Sequence, residues 1–263
     1  MTAPASLPDI PNLRDVGGRP TSDGGRVRTG ILYRSVDLGR ATDAQVAALE
    51  QLGIRAVYDL RTADERAMAP DHLPTGAELV VADVLADDVG SSPAAFGAVL
   101  EDPASAERAL GGGRAERFFV DKYRDFVATP GASAAYRTFF TELATPERRP
   151  GLVHCTSGKD RTGWAAAALL LLLGVSEDLV MDDYLASNGA LGPVFDPFVA
   201  AFRDRGGDPA LLLPLVEARP EYLASALAEV RRGHGSIERY FADGLGIGSP
   251  GIDGLRAVFV EPG

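Results

Sequence analysis

The segment HCTSGKDRTG, residues 154–163, holds the only cysteine of the 263-residue chain, Cys155, with five residues between it and Arg161. It follows a short apolar run, GLVHC (151–155), and leads into a helical pattern, so the thiol sits where a strand turns into a helix. Five intervening residues let the backbone curl into a cup whose N–H groups point inward. At the positive end of a helix such a cup suits a tetrahedral dianion. Thr156, Ser157, Gly158 and Lys159 are then the substrate-binding residues, and Arg161 can clamp two phosphate oxygens with its planar fork.

The field that holds phosphate also favours thiolate over thiol, which predicts Cys155 as a nucleophile. Thr162 can donate its hydroxyl to the sulfur when a phosphocysteine is hydrolysed. Gly158 and Gly163 permit backbone conformations and close approaches that a side chain would block. His154, one residue before Cys155 on a strand, points to the opposite face and is expected to support the loop through its backbone, not to act as a base.

A lone cysteine is ordinarily a small buried hydrophobe. HCxxGKxRTG between an apolar strand and a helix is too specific for that reading. A nucleotide-binding G-x4-G-K-[ST] loop fails at both ends, because position 153 is valine and Asp160 follows Lys159. The doublets Asp87-Asp88 and Asp182-Asp183 lack calcium-loop spacing and read as solvated faces or helix-start charges. His72, His154 and His234 are far apart in sequence, so neither metal nor cofactor is expected. An activated cysteine in an anion cradle also fits a rhodanese-like sulfurtransferase or an arsenate reductase, and the cradle alone fits a non-catalytic phosphopeptide-binding module.

The elements that must position this loop follow from periodicity. RVRTGILYRS (26–35) alternates as a strand, ATDAQVAALEQLG (41–53) is a helix with a capping box at Thr42 and Gln45, and IRAVYDL (54–60) is a buried strand. TADERA (62–67) offers a second capping box through Thr62 and Glu65, and ELVVADV (78–84) is the next strand. Residues 85 to about 114 read as a loop with at most one short helix. AERFFVDKYRDFVA (115–128) and SAAYRTFFTELA (133–144) are helical, as is the run from Arg161 to Leu173. The remainder, 176–260, is almost entirely helical, with starts at Ser176, Pro220 and Ser236. Strands alternating with helices predict a single α/β domain with a mostly parallel central sheet flanked by helices.

Composition sets outer bounds. With 46% hydrophobic and 24% charged residues the chain is an ordinary globular protein. A net charge of -11 argues against nucleic acid and against anionic membrane surfaces as partners. WAAAALLLLLGV (164–175) is too short to span a bilayer, which needs about 20 residues, and reads as a buried helix. The N-terminus lacks the pattern of a signal peptide, so a cytoplasmic location, or secretion by another route, is expected.

Beyond the loop, NLRDVGG (12–18), LYRS (32–35), DLRTADE (59–65), DDYLASN (182–188) and EYLASAL (221–227) occur in the order in which similar segments occur in one family. The chain resembles the cysteine-dependent protein tyrosine phosphatases, specifically the atypical bacterial group related to mycobacterial PtpB. The resemblance implies the phosphotyrosine protein phosphatase fold with a helical lid, and metal-independent hydrolysis through a phosphocysteine. It also implies phosphotyrosine, phosphoserine/threonine or phosphoinositide substrates. By motif position Cys155 is the nucleophile, Arg161 the phosphate clamp, and Lys159 and Asp160 are active-site residues.

The general acid is less determined, because the sequence has no W-P-D tripeptide. Asp83, at the end of ELVVADV, is the leading proton donor and Asp160 the second. Asp121 and Asp125 lie on an amphipathic helix, where solvent exposure explains them. Within about 192–232, part of GPVFDPFVAAFRDRGGDPALLLPLVEA (192–218) is expected to form the lid, with Phe195, Phe198 and Phe202 on one helical face. Lys159 is expected to add a second cation beside Arg161, within reach of a further phosphate on an inositol ring.

Overall fold

The computed structural model describes residues 7, 9–88 and 102–263. Short strands β1 (Arg14–Asp15), β2 (Arg26–Val27), β3 (Leu32–Ser35), β4 (Ala56–Asp59), β5 (Glu78–Val81), β6 (Gly151–His154) and β7 (Val260–Glu261) form two sheets. The main sheet has the order β1-β3-β6-β4-β5, with β3, β6, β4 and β5 mutually parallel and β1 antiparallel at one edge. The strand that ends at His154 is thus the middle strand, and its C-terminal end lies among three others. In parallel sheets that edge is where ligands bind.

The strands alternate as a sheet covered on both faces requires. Leu32, Ala56, Tyr58 and Val153 join the large core with Cys155, whereas Tyr33, Val57 and Leu152 join a second core on the opposite face. The helices are α1 (Asp43–Gln51), α2 (Ala63–Met68), α3 (Pro103–Leu110), α4 (Arg114–Ala128), α5 (Pro130–Leu143), α6 (Arg161–Leu172), α7 (Glu177–Asp204), α8 (Leu213–Val216), α9 (Pro220–Gly233), α10 (Ile237–Arg239) and α11 (Ser249–Phe259). Every residue of α6 except Leu171 is buried, so this helix runs through the large core. No helix among the described residues is long and apolar enough to cross a membrane.

Some expected boundaries change. The alternating run 26–35 is two strands: β2 pairs with β7 in a separate ribbon, and β3 alone enters the main sheet. The turn between them carries Gly30 at φ 75°, a conformation that ends a strand. α5 starts at Pro130, ahead of the expected Ser133, because proline suits the first helical turn. Within the expected loop 85–114, α3 is capped by Asp102, whose carboxylate accepts from Ala104 N and Ser105 N; residues 89–101 lie outside the described residues.

Candidate active site

Residues 155–161 connect the end of β6 to the start of α6, and the loop's carbonyls are turned outward onto protein donors. Cys155 O lies 3.0 Å from His154 Nδ1, and Thr156 O accepts from Asp37 N at 3.1 Å. Ser157 O and Gly158 O accept from Asn12 Nδ2 at 3.1 and 3.0 Å, and Gly158 O also accepts from Arg34 Nη2 at 2.7 Å. Because a trans peptide points its C=O and N–H in opposite directions, outward carbonyls leave the following amides facing the interior of the loop. Gly158 has φ 64°, and a Cβ there would lie 2.0 Å from Ser35 O, so no other residue fits between the loop and the end of β3.

Cys155 is buried at the base of this loop. Arg161 donates from Nη1 and Nη2 to the two carboxylate oxygens of Glu65, both at 2.7 Å. Thr156 Oγ1 donates to the same carboxylate. Burial works against the charge on Glu65, but its hydrogen bonds with Arg161 and the charge of Arg161 outweigh it and hold the carboxyl down to about 2. Burial likewise opposes the charge on Arg161, and Glu65 together with Cys155 reverses this and raises its pKa. The Nη1–Nη2 edge of the fork is thus taken by Glu65, which leaves the Nε edge for an oxyanion. Thr162 Oγ1 is buried without a protein partner, so its hydroxyl is available as a donor.

His154 is fully buried, with Nε2 3.2 Å from Asp71 Oδ2. Burial opposes its protonation, but Asp71 and then Asp59 outweigh that and raise its pKa. Asp59, Asp71 and His154 bring ligand-type atoms together as a metal site would. Arg61 Nη2, however, lies 2.9 Å from both Asp59 Oδ2 and Asp71 Oδ2, so the cation there is the guanidinium.

The aspartates separate by environment. Asp83 follows β5 on the same sheet edge as Cys155; its carboxylate accepts from Leu85 N at 3.0 Å. Burial raises its pKa, against the nearby charges of Arg66 and Arg161. Asp160 is already engaged: Tyr123 Oη donates to Oδ1 at 2.9 Å and Lys159 Nζ lies 3.4 Å from it. Asp121 is exposed on α4, and Asp125, half-buried on the same helix, lies 3.5 Å from Lys122 Nζ.

Lys159 does not present its charge to the interior of the loop. Its side chain is 1% exposed, and Nζ donates to Leu215 O and Glu217 O, both at 2.8 Å, with the Phe119 ring beneath it at 5.1 Å. The second cation expected beside Arg161 is thus committed to the C-terminal end of α8, whose last carbonyls would otherwise be unsatisfied. The three phenylalanines of α7 also part company. Phe202 is buried in a small separate core with Ala106, Leu110, Ala115 and Leu212, Phe195 lines a pocket, and Phe198 is exposed.

Several functional positions escape a reading of the sequence. Glu65 reads as a cap from its spacing and also holds Arg161. Asp183, expected on a solvated face, is 2% exposed and pairs with Arg14, Arg19 and Arg34 at 3.2, 3.0 and 2.9 Å. The signal for this correction lies in α7's own period: Val180, Asp183, Tyr184 and Ser187 form one buried stripe.

A family model described as the tyrosine phosphatase family matches residues 5–261. The triple specificity protein phosphatase PtpB of Mycobacterium tuberculosis is 32% identical over 278 residues, covering 97% of this chain and 98% of that protein. A Cupriavidus necator protein assigned as a tyrosine-protein phosphatase is 32% identical over 239 residues, covering 90% of this chain and 82% of the relative. With a matching family model over nearly its whole length and a cysteine-arginine loop at the sheet's C-terminal edge, the chain belongs to the tyrosine phosphatase family and is a phosphatase.

Proposed function

We propose that the chain hydrolyses phosphotyrosine, and with it phosphoserine/threonine and phosphoinositide monoesters, through a covalent phosphocysteine on Cys155. The observation that carries this reading is the loop itself: every carbonyl from Cys155 to Gly158 is tied outward, next to a buried thiol and an arginine fork with one edge free.

In the first step Cys155 Sγ attacks phosphorus, the S–P bond forms and the bond to the leaving oxygen breaks. Asp83 gives its proton to that oxygen. The loop amides and the Nε edge of Arg161 stabilise the charge on the equatorial oxygens. In the second step water attacks phosphorus and gives a proton to the Asp83 carboxylate. The S–P bond breaks and Thr162 Oγ1 donates to the departing sulfur. The residues supply this charge stabilisation without calling on a metal ion.

A lid over the loop is part of the proposal. Leu191, Val194 and Phe195 of α7 line a pocket of about 570 Å³ together with Thr156 and Ser157. The end of α8 and the residues after it are fastened to the core by Lys159 and by Asn188, which exchanges two hydrogen bonds with the backbone of Ala218. When the lid is released, Lys159 is freed to meet a second phosphate.

Phosphate release from a phosphotyrosine peptide, a phosphoserine peptide and a phosphoinositide, each with a chelator present, tests the range. Hydrolysis of all three is the expected result, with Lys159→Ala depressing the inositol lipid most. Strict magnesium dependence would contradict the mechanism. No turnover of the lipid by the wild type would remove that substrate class.

A further inference from the structure

Asp183 lies on α7, outside the loop, yet two chains of contacts run from its carboxylate to one loop carbonyl. Along the first, Arg34 Nη1 donates to Asp183 Oδ2 at 2.9 Å and Arg34 Nη2 to Gly158 O at 2.7 Å. Along the second, Arg14 Nε donates to Asp183 Oδ1 at 3.2 Å, and Arg14 Nη1 donates to the carbonyl and the side-chain oxygen of Asn12. Asn12 Nδ2 then donates to Ser157 O and Gly158 O. Asn12 holds φ 59°, the left-handed region that asparagine tolerates better than most residues, and this fixes the approach of its amide.

We propose that Asp183, Arg34 and Asn12 are positioning residues for the oxyanion cup: the carboxylate orients the guanidinium of Arg34 and, through Arg14, the amide of Asn12, and these donors turn the Ser157 and Gly158 carbonyls outward. The proposal rests on reading the Cys155 loop as a phosphate cup. The physical consequence lies in two peptides. With those carbonyls held outward, the N–H groups of Gly158 and Lys159 face the bound oxyanion, and a charged donor on the carbonyl side polarises the peptide and strengthens its N–H as a donor. Three guanidinium groups surround one carboxylate, so the cluster leaves a surplus of positive charge behind the loop. Arg34 is 0% exposed, and apolar packing would fasten α7 as firmly as a buried cation does. Its hydrogen bond to Gly158 O gives the buried charge a purpose that packing could not serve.

The test is tungstate binding, measured by calorimetry, in a Cys155→Ser background where chemistry is removed and the cup remains. Asp183→Asn, Arg34→Gln and Asn12→Ala should each weaken tungstate binding by about 10-fold, the scale of one charge-assisted hydrogen bond. The Asp183→Asn/Asn12→Ala pair should weaken it by less than the product of the single effects, because both act on the same carbonyl. Arg34→Lys, which keeps a charged donor, should recover part of the loss. Wild-type affinity in a folded Asp183→Asn protein, or strictly multiplicative losses, would overturn the proposal. If the Asp183 and Arg34 variants do not fold, Asn12→Ala with the partly exposed Arg14→Gln provides the same cycle: losses smaller than their product support the positioning role, and multiplicative losses or none overturn it. Failure of the Cys155→Ser parent itself to bind tungstate would instead overturn the cup, and the positioning role with it.

Discussion

Arg161 and Glu65 meet through two 2.7 Å hydrogen bonds that occupy one edge of the guanidinium, although 96 positions separate them in the chain. The pair orients the fork so that its Nε edge is the part left for substrate. Arg161→Lys should then lower kcat/KM for p-nitrophenyl phosphate by at least about 100-fold, since a point charge replaces neither the pair with Glu65 nor the contact with oxyanion. Glu65→Gln should lower it by about 10-fold, because the fork stays but its charged partner is gone. Full activity in Glu65→Gln would show that the pair has no part in orientation.

Asp83 gains pKa from burial, which keeps it protonated to higher pH than an ordinary aspartate and suits it to proton donation. Turnover of substrates with poor leaving groups should fall as pH rises through the pKa of Asp83. Asp83→Asn should remove that limb and slow poor leaving groups far more than good ones. If Asp160→Asn gives this selectivity and Asp83→Asn does not, the acid is Asp160.

Asn188 bonds to Ala218, in the segment proposed as a lid, at 2.9 and 2.6 Å. Asn188→Ala should therefore loosen the segment after α8 and expose Cys155, seen as faster inactivation by hydrogen peroxide. An unchanged inactivation rate would mean that the segment does not shield the thiol.

Asp183 and Glu65 are each held at about 2, below the ordinary values of 3.8 and 4.5, because their arginines outweigh burial. A carboxylate whose folded pKa is depressed contributes stability above its unfolded pKa and loses it as pH falls toward the folded value. The stability gap between wild type and Asp183→Asn in urea should thus be full above about pH 4 and close on the way down to about pH 2. A gap independent of pH across that window would show that Asp183 is not charged in the fold.

Local chemistry was legible in the sequence and long-range placement was not. The two capping boxes, Thr42 with Gln45 and Thr62 with Glu65, depend on contacts three residues apart and form as their spacing implies. The second task of Glu65 depends on β4 lying beside β6, and no local pattern encodes strand order. Asp183 misleads for the same reason: it is one half of an acidic doublet in sequence, and only the approach of Arg14 from β1, Arg19 from the loop that follows and Arg34 from β3 makes it a buried ion centre. Lys159 sits in the right loop, but the direction of its side chain is set by carbonyls more than 50 residues away.

The covalent step at Cys155 can be caught directly. Acid quench of the enzyme within the first turnovers of p-nitrophenyl phosphate, followed by digestion and mass analysis, should find one phosphoryl group on the peptide that carries Cys155. Thr162→Ala should raise the amount trapped, because breakdown slows, and Cys155→Ser should abolish both the adduct and turnover. Sustained turnover in Cys155→Ser, or a phosphoryl group on another residue, would contradict the account.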